Sequence, residues 1–129
     1  MAITNKVSLT LEQLDATSAT VTRRVFSVSD ILPTVGEFRS GNLIDTSATT
    51  INLPIVQPRQ ILVRNTHASA KITVIWTPYG GASVTVTKLG PNAAIMLWDP
   101  TAAATTIGIS ALSLTSDTSN TTFEVFLGG

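Results

Sequence analysis

The sequence predicts an all-β protein, an antiparallel β-sandwich or jelly-roll-like fold of about eight or nine short strands with little helix. Three observations carry that expectation. Thr and Ser supply about a quarter of the residues, with Val and Ile frequent beside them. β-branched side chains are stiff at χ1 and suit a pleated surface. Apolar and polar residues alternate with period two in one segment after another, and Gly, Pro, Asn and Asp clusters punctuate the segments at intervals that suit short strands.

Val7, Leu9 and Leu11 alternate with Ser8 and Thr10 in the first segment. From Thr20 to Val28 one face carries Thr22, Arg24, Phe26 and Val28, the other Val21, Arg23, Val25 and Ser27. Ile51 and Leu53 start a short strand that Pro54 and Pro58 interrupt, and Ile61 to Asn65 forms the next. Ala70 to Trp76 follows, with Ile72, Val74 and Trp76 in one phase. Thr77-Pro78-Tyr79-Gly80-Gly81 reads as a turn, because proline fixes φ and glycine tolerates positive φ. Ser83 to Leu89 resumes the alternation, Leu89-Gly90-Pro91-Asn92 turns again, and Ala94 to Trp98 is a short apolar strand ending at Asp99-Pro100. Ile107 and Ile109 share one phase while Leu112 and Leu114 share the other, so a one-residue bulge is expected near Ser110 or Ala111. Thr122 to Leu127 closes the series, with Phe123, Val125 and Leu127 in phase.

Helix finds little support. Leu11 to Ala16 suits one turn capped by Thr10, and Asp30 to Pro33 suits another that the proline stops. The stretch Ser29 to Ser47 is the least regular and reads as a long connection or an excursion to a neighbour. With no repeat and no linker, residues 1–129 are expected to form a single sandwich domain, and residues 1–6 are a candidate N-terminal arm.

Composition bears on function. Hydrophobic residues make up 43% and charged residues 12% of the chain. That sparse charge leaves a surface of hydroxyls, alanine and backbone, which is easily dried against another subunit. Eight Lys and Arg balance eight Asp and Glu. No net field draws in nucleic acid or an anionic membrane, and Arg23-Arg24 is the only basic pair. Cysteine is absent, which removes disulfides, thiolate metal sites and Cys nucleophiles together. No secretory signal and no apolar run of the roughly 20 residues a membrane helix needs is visible, so synthesis in the cytoplasm is expected.

The second half of the chain carries a resemblance. Ile61-Leu62-Val63-Arg64-Asn65-Thr66 leads into Ile72-Thr73-Val74-Ile75-Trp76-Thr77-Pro78-Tyr79-Gly80-Gly81. Leu89-Gly90-Pro91, Ile95-Met96-Leu97-Trp98 and the closing Phe123-Glu124-Val125-Phe126-Leu127-Gly128-Gly129 follow. In strand spacing, aromatic placement and Thr-rich faces these segments resemble small β-sandwich virion proteins of tailed bacteriophages, capsid cement or decoration proteins among them. The resemblance implies a structural protein on the capsid surface of the virion. It also implies a homotrimer that binds the major capsid protein between capsomers, without cofactor, nucleic acid or membrane. A tail- or fibre-associated receptor- or glycan-binding module, or a tail-tube or connector component, is the alternative.

No catalytic, cofactor or metal residue is assigned, and an enzyme is not expected. His67, the only histidine, lies in Asn65-Thr66-His67-Ala68-Ser69, a turn, and no Gly-x-Ser-x-Gly elbow accompanies it. Asp30, Asp45, Asp99 and Asp117 read as turn or cap formers. Asp117-Thr118-Ser119-Asn120 lacks the ligand count of a calcium loop and reads as a hairpin turn. The Asn120-Thr121-Thr122 sequon has no meaning without secretion. Trp76, Tyr79 and Trp98, at or near strand ends, are the candidate interaction surface. They form either a stacking platform for sugar or the caps of the core.

Overall fold

In the structure, a computed structural model that describes residues 3–17, 20–32, 37–52, 60–78, 80–98 and 109–128, the chain divides into two compact units, Met1–Pro33 and Thr34–Gly129. The first is a two-stranded antiparallel ribbon of β1 (Ile3–Leu14) and β2 (Thr20–Leu32), paired along its length from Ile3 opposite Leu32 to Leu14 opposite Thr20. Residues 3–6 of the candidate arm are part of β1, opposite Ser29 to Leu32. Backbone alternation sorts the ribbon into two faces. By register Ile3, Asn5, Val7, Leu9, Leu11 and Gln13 stand in one phase, opposite Leu32, Asp30, Val28, Phe26, Arg24 and Thr22. Ser8, Thr10, Glu12, Arg23 and Val25 lie exposed on the other, where Glu12 and Arg23 approach to 3.5 Å.

The two expected helical turns are strand instead. Leu11 to Leu14 continues β1, and Asp30 to Leu32 continues β2 with Asp30 opposite Asn5 rather than in a turn. Cross-strand pairing over a dozen residues outweighs one capped turn, whose nucleation is unfavourable on its own. The chain turns at Asp15, whose Oδ1 accepts from the backbone N–H (2.8 Å) and the hydroxyl (2.7 Å) of Thr17.

Among the described residues the second unit has eight strands: β3 (Glu37–Leu43), β4 (Thr49–Ile51), β5 (Gln60–Asn65), β6 (Ile72–Pro78), β7 (Val84–Leu89), β8 (Ala94–Trp98), β9 (Ile109–Ser116) and β10 (Thr121–Gly128). They pair as nested antiparallel partners, β6 with β7, β5 with β8, β4 with β9 and β3 with β10. That long double hairpin rolls up because β10 also pairs with β5 and β9 with β6. The result is two four-stranded sheets of order β3-β10-β5-β8 and β4-β9-β6-β7, the jelly-roll arrangement. β3 and the end of β2, Ser29 to Leu32, lie in the stretch Ser29 to Ser47, whose sequence lacks regular alternation. Its Arg39-Ser40-Gly41-Asn42 hides the strand pattern, and β3 is fixed by pairing with β10. Residues 53–59 and 99–108, with the expected Pro54 and Pro58 interruption and the Asp99-Pro100 stop, lie outside the described residues.

Alternation sends one face of each sheet inward. Leu43, Ile61, Val63, Phe123, Val125 and Leu127 from the first sheet meet Ile51, Ile72, Val74, Leu89, Ile109, Leu112 and Leu114 from the second in one buried cluster. Burying each such side chain contributes roughly 1.5–3 kcal/mol, the main force holding the layers together. The expected bulge falls at Ser110: Thr77 faces Ala111 and Pro78 faces Ile109, so Ser110 is skipped. This lets both Ile109 and Leu112 point into the core. At Gly41, opposite Phe123, a Cβ would overlap the phenyl ring, so the absent side chain gives the ring its place.

A buried amide closes one end of the sandwich. Asn65, the last residue of β5, is fully buried, and its Nδ2 donates to the carbonyls of Ala70 (2.7 Å), Leu89 (3.1 Å) and Gly90 (3.0 Å). Its Oδ1 accepts from the N–H of His67 at 2.9 Å. One side chain thus ties the first sheet to the loop entering β6 and the turn leaving β7. That turn, Gly90 to Ala93, is closed by Ala93 N–H donating to Gly90 carbonyl at 3.1 Å, with Asn92 at φ 60°. Proline before a residue of positive φ is the pattern of a type II turn.

Candidate interaction face

Outward-pointing residues of the sheet β3-β10-β5-β8 form ordered rows, because every strand is in register with its neighbour. Phe126 lies opposite Phe38 on one side and Leu62 on the other, and Leu62 lies opposite Met96. Four apolar side chains therefore cross the whole sheet in a line. Phe38 is 75% exposed, and Phe126, Leu62 and Met96 are half-buried. The two phenyl rings sit 4.6 Å apart at 42°, an arrangement that adds about 0.5–1.5 kcal/mol to simple area burial. The adjacent row is Ser40, Glu124, Arg64 and Ala94, with Arg64 Nη1 3.6 Å from Glu124 Oε2. Both charged side chains remain substantially exposed, so their pairing adds little to stability and keeps them at the surface.

Of the sequence-derived candidates, Trp76 and Trp98 stand in strands of different sheets. Trp76 lies in β6 opposite Leu112 and Val84, half-buried and packed against the core from the other sheet. Trp98 ends β8 opposite Gln60. Tyr79 lies outside the described residues. The two tryptophans therefore belong to different sheets, with Trp76 packed against the core. The sequence does hold a sign of the apolar row, since Phe126 stands out of phase with Phe123, Val125 and Leu127. Phe38 is harder to see, because it sits in the stretch without regular alternation.

At the Asn65 end, polar residues shape loops. His67 Nδ1 accepts from the N–H of Ser69 (3.1 Å) and of Ala70 (2.9 Å), so the imidazole builds the turn, as its position between strands had suggested. Asp117 and Lys71 bind reciprocally: Lys71 N–H donates to Asp117 Oδ1 at 2.9 Å, and Asp117 N–H donates to the Lys71 carbonyl at 3.2 Å. The Lys71 amide is the main reason the Asp117 carboxyl is held below its ordinary value, with the Thr118 hydroxyl and the Lys71 charge assisting. Asp117 to Asn120 forms the hairpin between β9 and β10, with Asn120 at φ 59°. Under it Ser116 and Thr121 hydroxyls meet at 2.5 Å. Asp45 likewise turns the chain, its Oδ1 accepting from Ser47 N–H at 2.8 Å.

Among the described residues no three or more His, Asp or Glu side chains come together as a metal site, and no helix is long and apolar enough to cross a membrane. Comparison with known proteins finds no family model, curated protein or solved structure that matches this chain.

Proposed function

We propose that the chain is a structural protein of a virus particle, a cement or decoration protein that binds the major capsid protein between capsomers of a tailed-phage head. Jelly rolls serve capsid proteins, lectins and cupins alike, so the fold alone does not choose among them. The feature that supports the reading is the ribbon Ile3–Leu32, a separate compact unit whose sequence sets Val7, Leu9, Leu11, Phe26 and Val28 in one phase, flanked by Asn5, Gln13, Thr22, Arg24 and Asp30. A two-stranded hairpin alone is marginal in water, so a ribbon of this kind gains from packing against another surface. A ribbon that gains its cover on a shell suits a protein whose task is to bridge subunits. The charge-poor surface suits the same task, since little desolvation opposes docking. Many modest contacts repeated over a shell reinforce one another against outward pressure. The three-fold order implied by the resemblance would seat copies at local three-fold positions.

The test is immunogold labelling of purified particles with an antibody against this chain, beside binding of the full chain to undecorated shells. Label spread over the head, with binding that Leu9→Asp in the ribbon abolishes, is the expected result. Label confined to the tail would move the protein to the adhesin or tube class, and label on no particle would end the virion reading.

A further inference from the structure

The outer face of the sheet β3-β10-β5-β8 is complementary to itself. We propose that two copies of the chain pair through this face about a two-fold axis that runs along the strands, midway between β10 and β5. The proposal rests on the geometry of that sheet and does not depend on a place in a virus particle.

Such an axis preserves position along the strands and exchanges the two sides of the sheet. β10 of one copy then lies over β5 of the other, and β3 over β8. Phe126 comes over the second copy's Leu62, and Phe38 over its Met96, so the apolar row covers itself without offset. One row away, Glu124 comes over the second copy's Arg64 and Arg64 over its Glu124. The ion pair that each copy holds at 3.6 Å thereby becomes a box of four alternating charges. A two-fold axis across the strands would instead set Glu124 over Gly128, because those residues flank Phe126 at equal distance, and would waste both charges. Charge complementarity therefore selects both the occupant, a second copy, and its orientation.

Size and exposure are consistent with this occupant. Gln60 and Gly128 are buried, so the open part of the face spans four strands about 4.8 Å apart and about five residues of about 3.4 Å each, roughly 20 Å by 15 Å. That is the small end of specific interfaces, which implies a reversible dimer. Phe38, 75% exposed on an edge strand, gains most from cover. Sheets that pack face to face cross at about 30° because each is twisted, so contact is closest along the axis, where Phe126, Leu62, Glu124 and Arg64 stand.

Sedimentation velocity of the full chain from about 1 to about 100 µM tests the pairing, in the range where an interface of this size dissociates. The wild type is expected to pass from its unit to twice that unit, monomer to dimer or trimer to hexamer. Phe38→Glu, at an exposed position, should weaken that step about tenfold or more. Glu124→Lys and Arg64→Glu should each weaken it alone, by setting like charges across the axis. Mixed in equal amounts, those two chains should pair with each other, since each then supplies the charge the other lacks. Circular dichroism confirms that the variants keep their strands. A wild type that never doubles, doubling indifferent to Phe38→Glu, or charge variants that pair no better mixed than apart would overturn the proposal.

Discussion

Asn65 at the end of β5 donates its side-chain amide to the carbonyl of Leu89, the last residue of β7, at 3.1 Å. The same amide reaches Ala70 and Gly90, so three backbone acceptors at the sandwich end depend on one residue. Asn65→Leu keeps the volume and removes the donor. It is expected to cost about 1–3 kcal/mol for each carbonyl left without a partner. Asn65→Asp should be worse, since it turns a carboxylate toward carbonyl oxygens. Urea titration of the full chain measures both, and equal midpoints for wild type and Asn65→Asp would contradict the account.

The Asp117 carboxylate supplies a pH dependence whose sign follows from its bond to Lys71 N–H. Folding holds its pKa below the ordinary 3.8, so the folded form favours the ionised group. Its stabilising contribution is complete above that value and is lost as pH falls through the lower folded value. Carboxyl-carbon NMR should show Asp117 titrating below 3.8. In Asp117→Asn this part of the acid-side loss should vanish. A midpoint at or above 3.8 would refute the assignment.

Gly41 makes a sharper stability prediction than its place on an edge strand suggests. Gly41→Val would drive a side chain into the Phe123 ring, which lies beneath 7% exposure at the core boundary. Overpacking of this kind costs about 1–3 kcal/mol. The paired change Gly41→Val with Phe123→Leu should recover part of it, and a double-mutant cycle measures the coupling.

Inward and outward positions should respond differently to truncation. Leu112→Ala, at a fully buried site, is expected to cost about 2–5 kcal/mol. Phe38→Ser removes a larger side chain, yet at 75% exposure it should cost about 1 kcal/mol or less. Thermal melts at low protein concentration, where pairing between copies does not contribute, separate the two.

Strands whose own alternation is strong were legible without structure. Ala94 to Trp98 is β8 with the same bounds, and the phase change between Ile109 and Leu112 located the bulge at Ser110. Where local signals conflicted with pairing, they misled. Leu11 to Ala16 carries a capping pattern, but its partners on β2 hold Leu11 to Leu14 extended. Glu37 to Leu43 has one buried apolar residue, Leu43, so nothing local announces β3. The interaction face was least legible, because it is a property of four strands in register. Phe38, Leu62, Met96 and Phe126 are scattered in sequence, and only the pairing aligns them. The tryptophans drew notice for size, whereas their sheets decide where they stand.

The nested pairing of the jelly roll also constrains when it can assemble. β6 and β7 meet across a short turn closed by Gly81 N–H on the Pro78 carbonyl, and each outer pair must close a longer loop than the one inside it. Loop closure is opposed by chain entropy that rises with length, and folds dominated by distant contacts form in milliseconds to seconds. β10, which follows the other described strands in the chain, belongs between β3 and β5. Until it arrives, β3 has no neighbour in its sheet, and β5 presents an open edge to any other nascent chain. An unpaired strand edge of that kind is prone to associate with other chains, so the nested order makes the interval before β10 pairs the hazardous one.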